Sequence, residues 1–159
     1  MIEKTYFTEE QQFTQVWIWI LVGVSSAAAL LPIFFTDLDI GTKIILVCAA
    51  ALPLVLFSSM KLKTTVTNEG IYYRFYPFQQ KDRHIPWADI DLVYSRTYKP
   101  IREYGGWGIR YGIRKVGKAY NVSGNQGLQI IFTNGKKLLI GTQRPEEIEV
   151  AVMEAMKAQ

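Results

Sequence analysis

The residues best suited to binding chemistry are the basic side chains concentrated between positions 94 and 118. Glu103 is the one acid in that stretch. A surface of this kind suits docking onto anionic lipid headgroups or onto an acidic protein partner. The same excess also arises when a membrane protein keeps a solvated basic face on its cytoplasmic side, and the sequence leaves both explanations open. The candidate docking residues are Arg96, Lys99, Arg102, Arg110, Arg114, Lys115 and Lys118.

Nucleic-acid binding is a third use of such a segment. Trp107 and Tyr111 are interleaved with arginines, and aromatic rings beside cations can stack on bases. In a strand, however, residues 107 and 111 point to the face opposite Arg110 and Arg114. We therefore consider nucleic acid an unfavoured partner.

Catalytic and metal chemistry has little support in the sequence. The single histidine, His84, has aspartates nearby but no accompanying nucleophile pattern, so we expect a surface histidine. The single cysteine, Cys48, excludes an internal disulfide and a cysteine-based metal site. Asp89, Asp91 and Glu103 lack the spacing of a metal-binding motif. We expect a protein that is not an enzyme, with no catalytic residues, cofactor or metal.

Two uncharged apolar runs dominate the first third of the chain. Residues 16–35 form a run of 20 residues and residues 44–60 a run of 17. At 1.5 Å per residue the first is about 30 Å long, which matches the hydrocarbon core of a bilayer. Neither run has the charged stripe of a soluble amphipathic helix. Because the link between them is short and polar, the sequence predicts a transmembrane hairpin over residues 16–60, integral to the lipid bilayer.

Small residues in the first run suit close helix packing in lipid. Gly23, Ser26 and Ala27 are the candidate packing positions, either within the hairpin or in a homo-oligomer.

Basic residues near the span ends predict the orientation. Lys61 and Lys63 follow the second run directly, which favours a cytoplasmic position for what comes next. We predict a multi-pass protein of the cytoplasmic (inner) membrane with both termini in the cytoplasm. Residues 1–15 would form a cytoplasmic tail or a short interfacial helix, with Thr8 as a cap.

The pattern changes to short strands and turns from residue 61. The clearest element is a hairpin joined by Asn134 and Gly135. Pro145 then opens an amphipathic helix with an expected buried stripe. Trp87 is an expected core residue. Residues 61–159 therefore predict a mainly β domain, a small barrel or bent sheet capped by one C-terminal helix. The stripe consists of Ile148, Ala151, Val152, Ala155 and Met156.

This order of elements resembles the pleckstrin-homology-like (PH-like) domain of small bacterial membrane proteins of unknown function. The resemblance covers roughly residues 61–157 and includes three stretches, IPWADI at 85–90, EYGGWGIR at 103–110 and IGTQRPEE at 140–147. It implies a PH-like fold, a membrane location and a binding role, and it implies no catalytic residues. The tight turn at residues 68–70 lacks the basic loop with which PH domains hold inositol phosphates.

The sequence thus predicts a membrane-anchored PH-like module that recruits or scaffolds other components. The alternative is an accessory subunit of a larger membrane complex, recognised through its hairpin. A third reading, an undetected enzyme, would require a deep polar pocket containing His84 or converging acids.

Overall fold

The computed structural model describes residues 4–112 and 116–158 of the chain. The chain divides into a helical unit, residues 13–60, and a β-rich unit formed by the residues before and after it.

The helical unit consists of α1 (Val16–Phe35) and α2 (Ile40–Ser59), both long and apolar enough to cross a membrane. The first helix has the predicted bounds. The second begins four residues before the predicted span, because the Asp39 carboxylate accepts a hydrogen bond from the Thr42 backbone at 3.1 Å and caps the helix. The helices pack on each other, and α1 buries Ile18, Val22 and Ser26 at four-residue intervals.

The N-terminal segment differs from the predicted tail or helix. Residues Thr5–Gln12 form strand β1, which pairs antiparallel with β2 (Lys61–Thr67). Phe7 and Glu9 are buried while Thr8 is exposed, which is the two-residue period of a strand. The helix expectation was wrong because the glutamates that favour a helix lie opposite a partner strand far along the chain. The helical unit is therefore inserted between two paired strands of the β-rich unit.

Two sheets make up most of the β-rich unit. The first has the order β1-β2-β3-β4 and is antiparallel throughout. The second has the order β5-β8-β9-β7-β6, in which β7 and β9 are parallel. The strands that follow β2 are β3 (Gly70–Tyr76), β4 (Arg83–Pro86), β5 (Ile90–Thr97), β6 (Gly108–Tyr111), β7 (Lys118–Asn121), β8 (Gln126–Phe132) and β9 (Lys137–Gly141).

The sequence predicts a small barrel or bent sheet, and within the described residues the strands form two separate sheets and no closed barrel. No strand there is shared between the sheets, and a short 3-10 turn at Trp87–Asp89 separates β4 from β5. Closure requires a continuous hydrogen-bonded ladder around the structure. Each sheet in the described residues therefore ends at outer strands.

The core and the C-terminal helix largely follow the sequence pattern. Trp87 is buried, and its indole N–H donates to the Thr67 carbonyl at 3.1 Å. The predicted turn at Asn134 and Gly135 joins β8 to β9. Helix α4 (Pro145–Lys157) packs against β1 and β2 of the first sheet and β5 and β8 of the second.

Met156 is the exception in the predicted stripe of α4, since 49% of it is exposed. At about 100° per residue, position 156 lies roughly 90° from the centre of the stripe formed by the other four residues. It therefore sits at the boundary between core and solvent.

Candidate functional site

A short helix lies among the candidate docking residues. Helix α3 (Pro100–Tyr104) starts at a proline, and the Glu103 carboxylate accepts a hydrogen bond from the Lys99 backbone N–H at 2.7 Å. It stops at Gly105, whose φ of +72° suits glycine. The resulting turn leaves Ile101 exposed to 70% and Arg102 in solvent.

Arg96 is held by the protein's own groups. Its guanidinium pairs with Glu103 at 2.8 Å and donates to the Gln129 side chain at 3.0 Å. Burial alone would raise the pKa of Glu103, but hydrogen bonds from Arg96 and from the Lys99 backbone outweigh it and lower that pKa. Glu103, the one acid of the segment, is thus ionised and paired with Arg96. It therefore does not form an ion pair with the neighbouring exposed cations.

An apolar hollow lies beside α3. It has a volume of about 340 Å³, and its walls are mostly carbon. The Trp107 ring is fixed there by a hydrogen bond from its N–H to the Gly124 carbonyl at 2.9 Å. Burial raises the pKa of Tyr98 to about 12, so its phenol is neutral at physiological pH. The lining residues are Tyr98, Lys99, Pro100, Ile101, Arg102, Trp107 and Asn125.

Cations surround this hollow. Lys99 and Arg102 line it, and the Arg110 Nε donates to the Trp107 carbonyl at 2.8 Å, which places the exposed Arg110 next to the same turn. We call Lys99, Ile101, Arg102, Trp107 and Arg110 together the α3 surface.

The remaining predicted docking residues do not join this group. The Lys118 ammonium lies 4.7 Å from the centre of the Tyr120 ring and 5.1 Å from that of Tyr111. In the β6–β7 ladder, Lys118 pairs at the end away from Gly108 and the adjoining α3 turn. Arg114 and Lys115 lie outside the described residues.

The predicted helix-packing residues occupy different environments. Ser26 is buried, whereas Ala27 is exposed. A Cβ on Gly23 would meet no atom within 4 Å, so there is open space beside it.

His84 lies at the surface, apart from the apolar hollow. Its ring stacks on Tyr72 with centres 4.3 Å apart, and Nε2 is 3.3 Å from the Glu69 carbonyl oxygen. The parts of the chain that the structure describes contain no cluster of three metal-ligating side chains. Cys48 is exposed on α2.

Sequence reasoning missed the apolar members of the α3 surface. Ile101 was not selected, and Trp107 was placed in an alternating strand. The available signal was a single aliphatic residue after a proline, flanked by Lys99 and Arg102. An apolar residue at such a position has no core to enter and is therefore a candidate contact residue.

No protein-family model matches the sequence, and no curated protein does. The resemblance to PH-like domains accordingly stays a prediction, and the functional argument rests on the chain's own residues.

Proposed function

We propose that this protein is a membrane-anchored binding module of PH-like type, in which α1 and α2 span the bilayer and the β-rich unit docks an anionic lipid surface through the α3 surface. The observation that carries the docking proposal is that, around one hollow, cations in no ion pair among the described residues lie beside the exposed Ile101 and the partly exposed Trp107.

Membrane insertion is supported by what the helices leave uncovered. Phe34 and Phe35 each expose 79% of their surface, and Ala50 is the one residue of the fully described α2 that is buried. Exposed apolar area on this scale is unfavourable in water, by about 25 cal/mol per Å². Lipid tails remove that cost without requiring further protein.

The topology proposal gains support from strand pairing. Gln12 and Lys61, which flank the helical unit, are directly paired across β1 and β2. Because these two residues are adjacent, the chain enters the helical hairpin and returns from it on the same side of the membrane. The basic residues of the β-rich unit favour the cytoplasm for that side.

Lipid headgroups fit the α3 surface better than a generic acidic partner does. Ile101 and the Trp107 indole can enter the boundary between headgroups and acyl chains, while Lys99, Arg102 and Arg110 remain at phosphate depth. Each cation near an anionic leaflet contributes about 1 kcal/mol. An acidic protein would use the cations but would not need an exposed isoleucine between them.

Co-sedimentation tests this docking. The full chain in phosphatidylcholine nanodiscs is mixed with vesicles that contain phosphatidylglycerol and with vesicles of phosphatidylcholine alone. We expect the protein to sediment with the vesicles that contain phosphatidylglycerol and not with those of phosphatidylcholine alone. Charge reversal at Lys99 and Arg102 (K99E/R102E) should weaken this binding at least thirtyfold, because the loss of the two attractive charges alone corresponds to about 2 kcal/mol and the added carboxylates are repelled.

The matched control reverses two exposed lysines elsewhere in the same unit, Lys136 and Lys157 (K136E/K157E), and so changes net charge equally. Equal losses in both variants would indicate general charge attraction and not a docking surface. Retained vesicle binding with loss of a co-purifying acidic protein in K99E/R102E would assign the surface to a protein partner.

The accessory-subunit hypothesis has one observation in its favour. Gly23 and Ala27, one helical turn apart on α1, lie beside open space or solvent, where a further helix can approach closely. Replacing both by leucine should abolish association with a membrane partner if the hairpin is the recognition element, and should leave vesicle docking unchanged.

A further inference from the structure

A groove of about 430 Å³ lies between β1 and α4, within the β-rich unit. Among the described residues, β1 is the outer strand of its sheet and pairs with β2 alone, so one backbone edge of β1 has no strand partner. An uncovered strand edge is a template for another extended chain. The groove is lined by Tyr6, Phe7, Thr8, Arg144, Glu146, Glu147, Val150, Ala151 and Glu154.

The wall formed by α4 is a continuous stripe. Glu147, Val150, Ala151 and Glu154 follow the i, i+3, i+4, i+7 spacing that places residues on one helix face. Val150 is 51% exposed, so an apolar contact is available halfway along the groove. The helix thus presents one hydrophobic position between acidic ones.

Arg144 covers part of the strand edge. Its guanidinium lies 5.0 Å from the centre of the Phe7 ring, donates to the Thr8 carbonyl at 3.2 Å and pairs with Glu147. This cation is therefore neutralised by its neighbour. A backbone N–H from an added strand can take its place at the Thr8 carbonyl.

The charge of the groove is negative. Within the described residues, the ion pairs leave Glu146 and Glu154 without a cation. Lys4, whose ammonium lies 4.8 Å from the centre of the Tyr6 ring, is the cation at the β1 side. The α4 wall therefore favours a positively charged occupant, in contrast to the basic α3 surface.

We propose that this groove binds an extended, basic peptide segment of a partner protein, which adds to the free edge of β1. Backbone hydrogen bonds to β1 supply affinity, and alternate side chains supply specificity. Because side chains alternate along a strand, those facing α4 meet Val150 and the carboxylates of Glu146 and Glu154. The preferred segment accordingly carries lysine or arginine on either side of an aliphatic residue. This site is separate from the lipid surface proposed above, and either can be correct alone.

The probe is a fluorescein-labelled peptide in which threonines alternate with the series lysine, valine, lysine, so that the valine and its two flanking lysines share one strand face. It is titrated into the full chain in a zwitterionic detergent. We expect saturable binding by fluorescence anisotropy. A version of the peptide with a central proline, which cannot complete the strand pairing, should bind at least fivefold more weakly.

Charge reversal on α4 locates the site. E154K should weaken the peptide at least fivefold, because it replaces an attractive charge by a repulsive one. E149K is the matched control, since Glu149 is exposed on the same helix but does not line the groove. Val150→Ser and Met153→Ser form a second pair that leaves the charge unchanged: the first removes the apolar contact in the groove and should weaken the peptide, and the second, at an exposed residue that does not line the groove, should not. Circular dichroism confirms that each variant is folded.

Several results would overturn the proposal. They are absence of binding to the wild-type chain, equal binding of the proline peptide or of a glutamate version, and equal losses in E154K and E149K. A concentration-dependent dimer that E154K disrupts, without peptide binding, would assign the groove to a second copy of the chain and would likewise reject a peptide partner.

Discussion

Glu9 is a carboxylate that lies inside the β-rich unit, with 6% of its surface exposed. One carboxylate oxygen accepts a hydrogen bond from the Thr142 hydroxyl at 2.6 Å, and the other accepts the Gln143 backbone N–H at 2.8 Å. The neighbouring buried Gln11 donates to the Gly141 carbonyl at 2.7 Å. These bonds connect the first sheet to the last residue of β9 and to the segment that joins β9 to α4.

Removing the Glu9 side chain should therefore be costly. Glu9→Ala leaves the buried Thr142 hydroxyl and the partly buried Gln143 backbone N–H without their acceptor, and we expect a loss of about 2–3 kcal/mol in the free energy of unfolding, measured by urea denaturation. Glu10→Ala is the control, because Glu10 is exposed and its ion pair with Lys61 is worth at most about 1 kcal/mol. Similar losses in the two variants would contradict the structural role of Glu9.

The Arg96–Glu103 pair predicts a pH dependence of stability. The folded-state pKa of Glu103 lies below its usual value of 4.5, because the bonds from Arg96 and Lys99 outweigh the effect of burial. A depressed folded pKa stabilises the fold above the unfolded pKa, and that stabilisation disappears as pH falls through the folded pKa. Glu103→Gln should therefore cost about 1–2 kcal/mol at pH 7 and progressively less below pH 4.5. If the difference in unfolding free energy between the unsubstituted chain and Glu103→Gln stays constant down to strongly acidic pH, the ionisation of Glu103 does not contribute to stability.

At the scale of elements, β1 changes the domain boundaries. A module that begins at residue 61 would lack the outer strand of its first sheet. Its buried Phe7 and Glu9 would also be missing. The N-terminal segment is therefore a structural part of the β-rich unit, and its exchange behaviour is a direct test.

Hydrogen–deuterium exchange should show protection of residues 5–12 comparable to that of β2, since the two strands share a ladder. Deletion of residues 1–12 should remove protection from β2 as well. The control substitutes the exposed side chains of the strand, Thr8→Ser and Glu10→Gln, and should keep protection. Exchange of residues 5–12 at the rate of an unstructured tail would refute the strand.

At the scale of the whole molecule, the two units are joined by adjacent connections. Gln12 and Lys61 are paired, and directly opposed residues in antiparallel strands lie about 5 Å apart at Cα. A two-residue turn can bridge such a pair. Replacing residues 13–60 by Asn-Gly should thus give a folded, water-soluble β-rich unit, checked by the dispersion of its NMR spectrum. A molten or aggregated product would show that the helical unit is required for folding.

The proposed topology is testable by labelling from one side of the membrane. In a Cys48→Ala background, single cysteines at Lys4 and Ala158 should react with an impermeant maleimide only after the cells are opened. A cysteine at Asp37, in the exposed link between the helices, should react in intact cells. Labelling of Lys4→Cys and Ala158→Cys from opposite sides would exclude an even number of crossings.

Features that depend on local chemistry were determined by the sequence. The bounds of α1 follow from an unbroken apolar run, the β8–β9 turn follows from Asn134-Gly135, and α4 follows from Pro145 and its apolar period. Each of these signals is contained in fewer than about 20 residues, so no distant partner is needed to interpret it.

Only the tertiary structure decided the features that depend on distant partners. Thr5–Gln12 is a strand because β2, on the far side of the helical unit, completes its hydrogen bonds. Arg96 is not part of the α3 surface, because its guanidinium is bound by the Glu103 and Gln129 side chains. The cations that lie close to Trp107 are Lys99, Arg102 and Arg110. A sequence gives the charge of each residue, but which charges are already paired depends on contacts that form only when separate strands and turns come together.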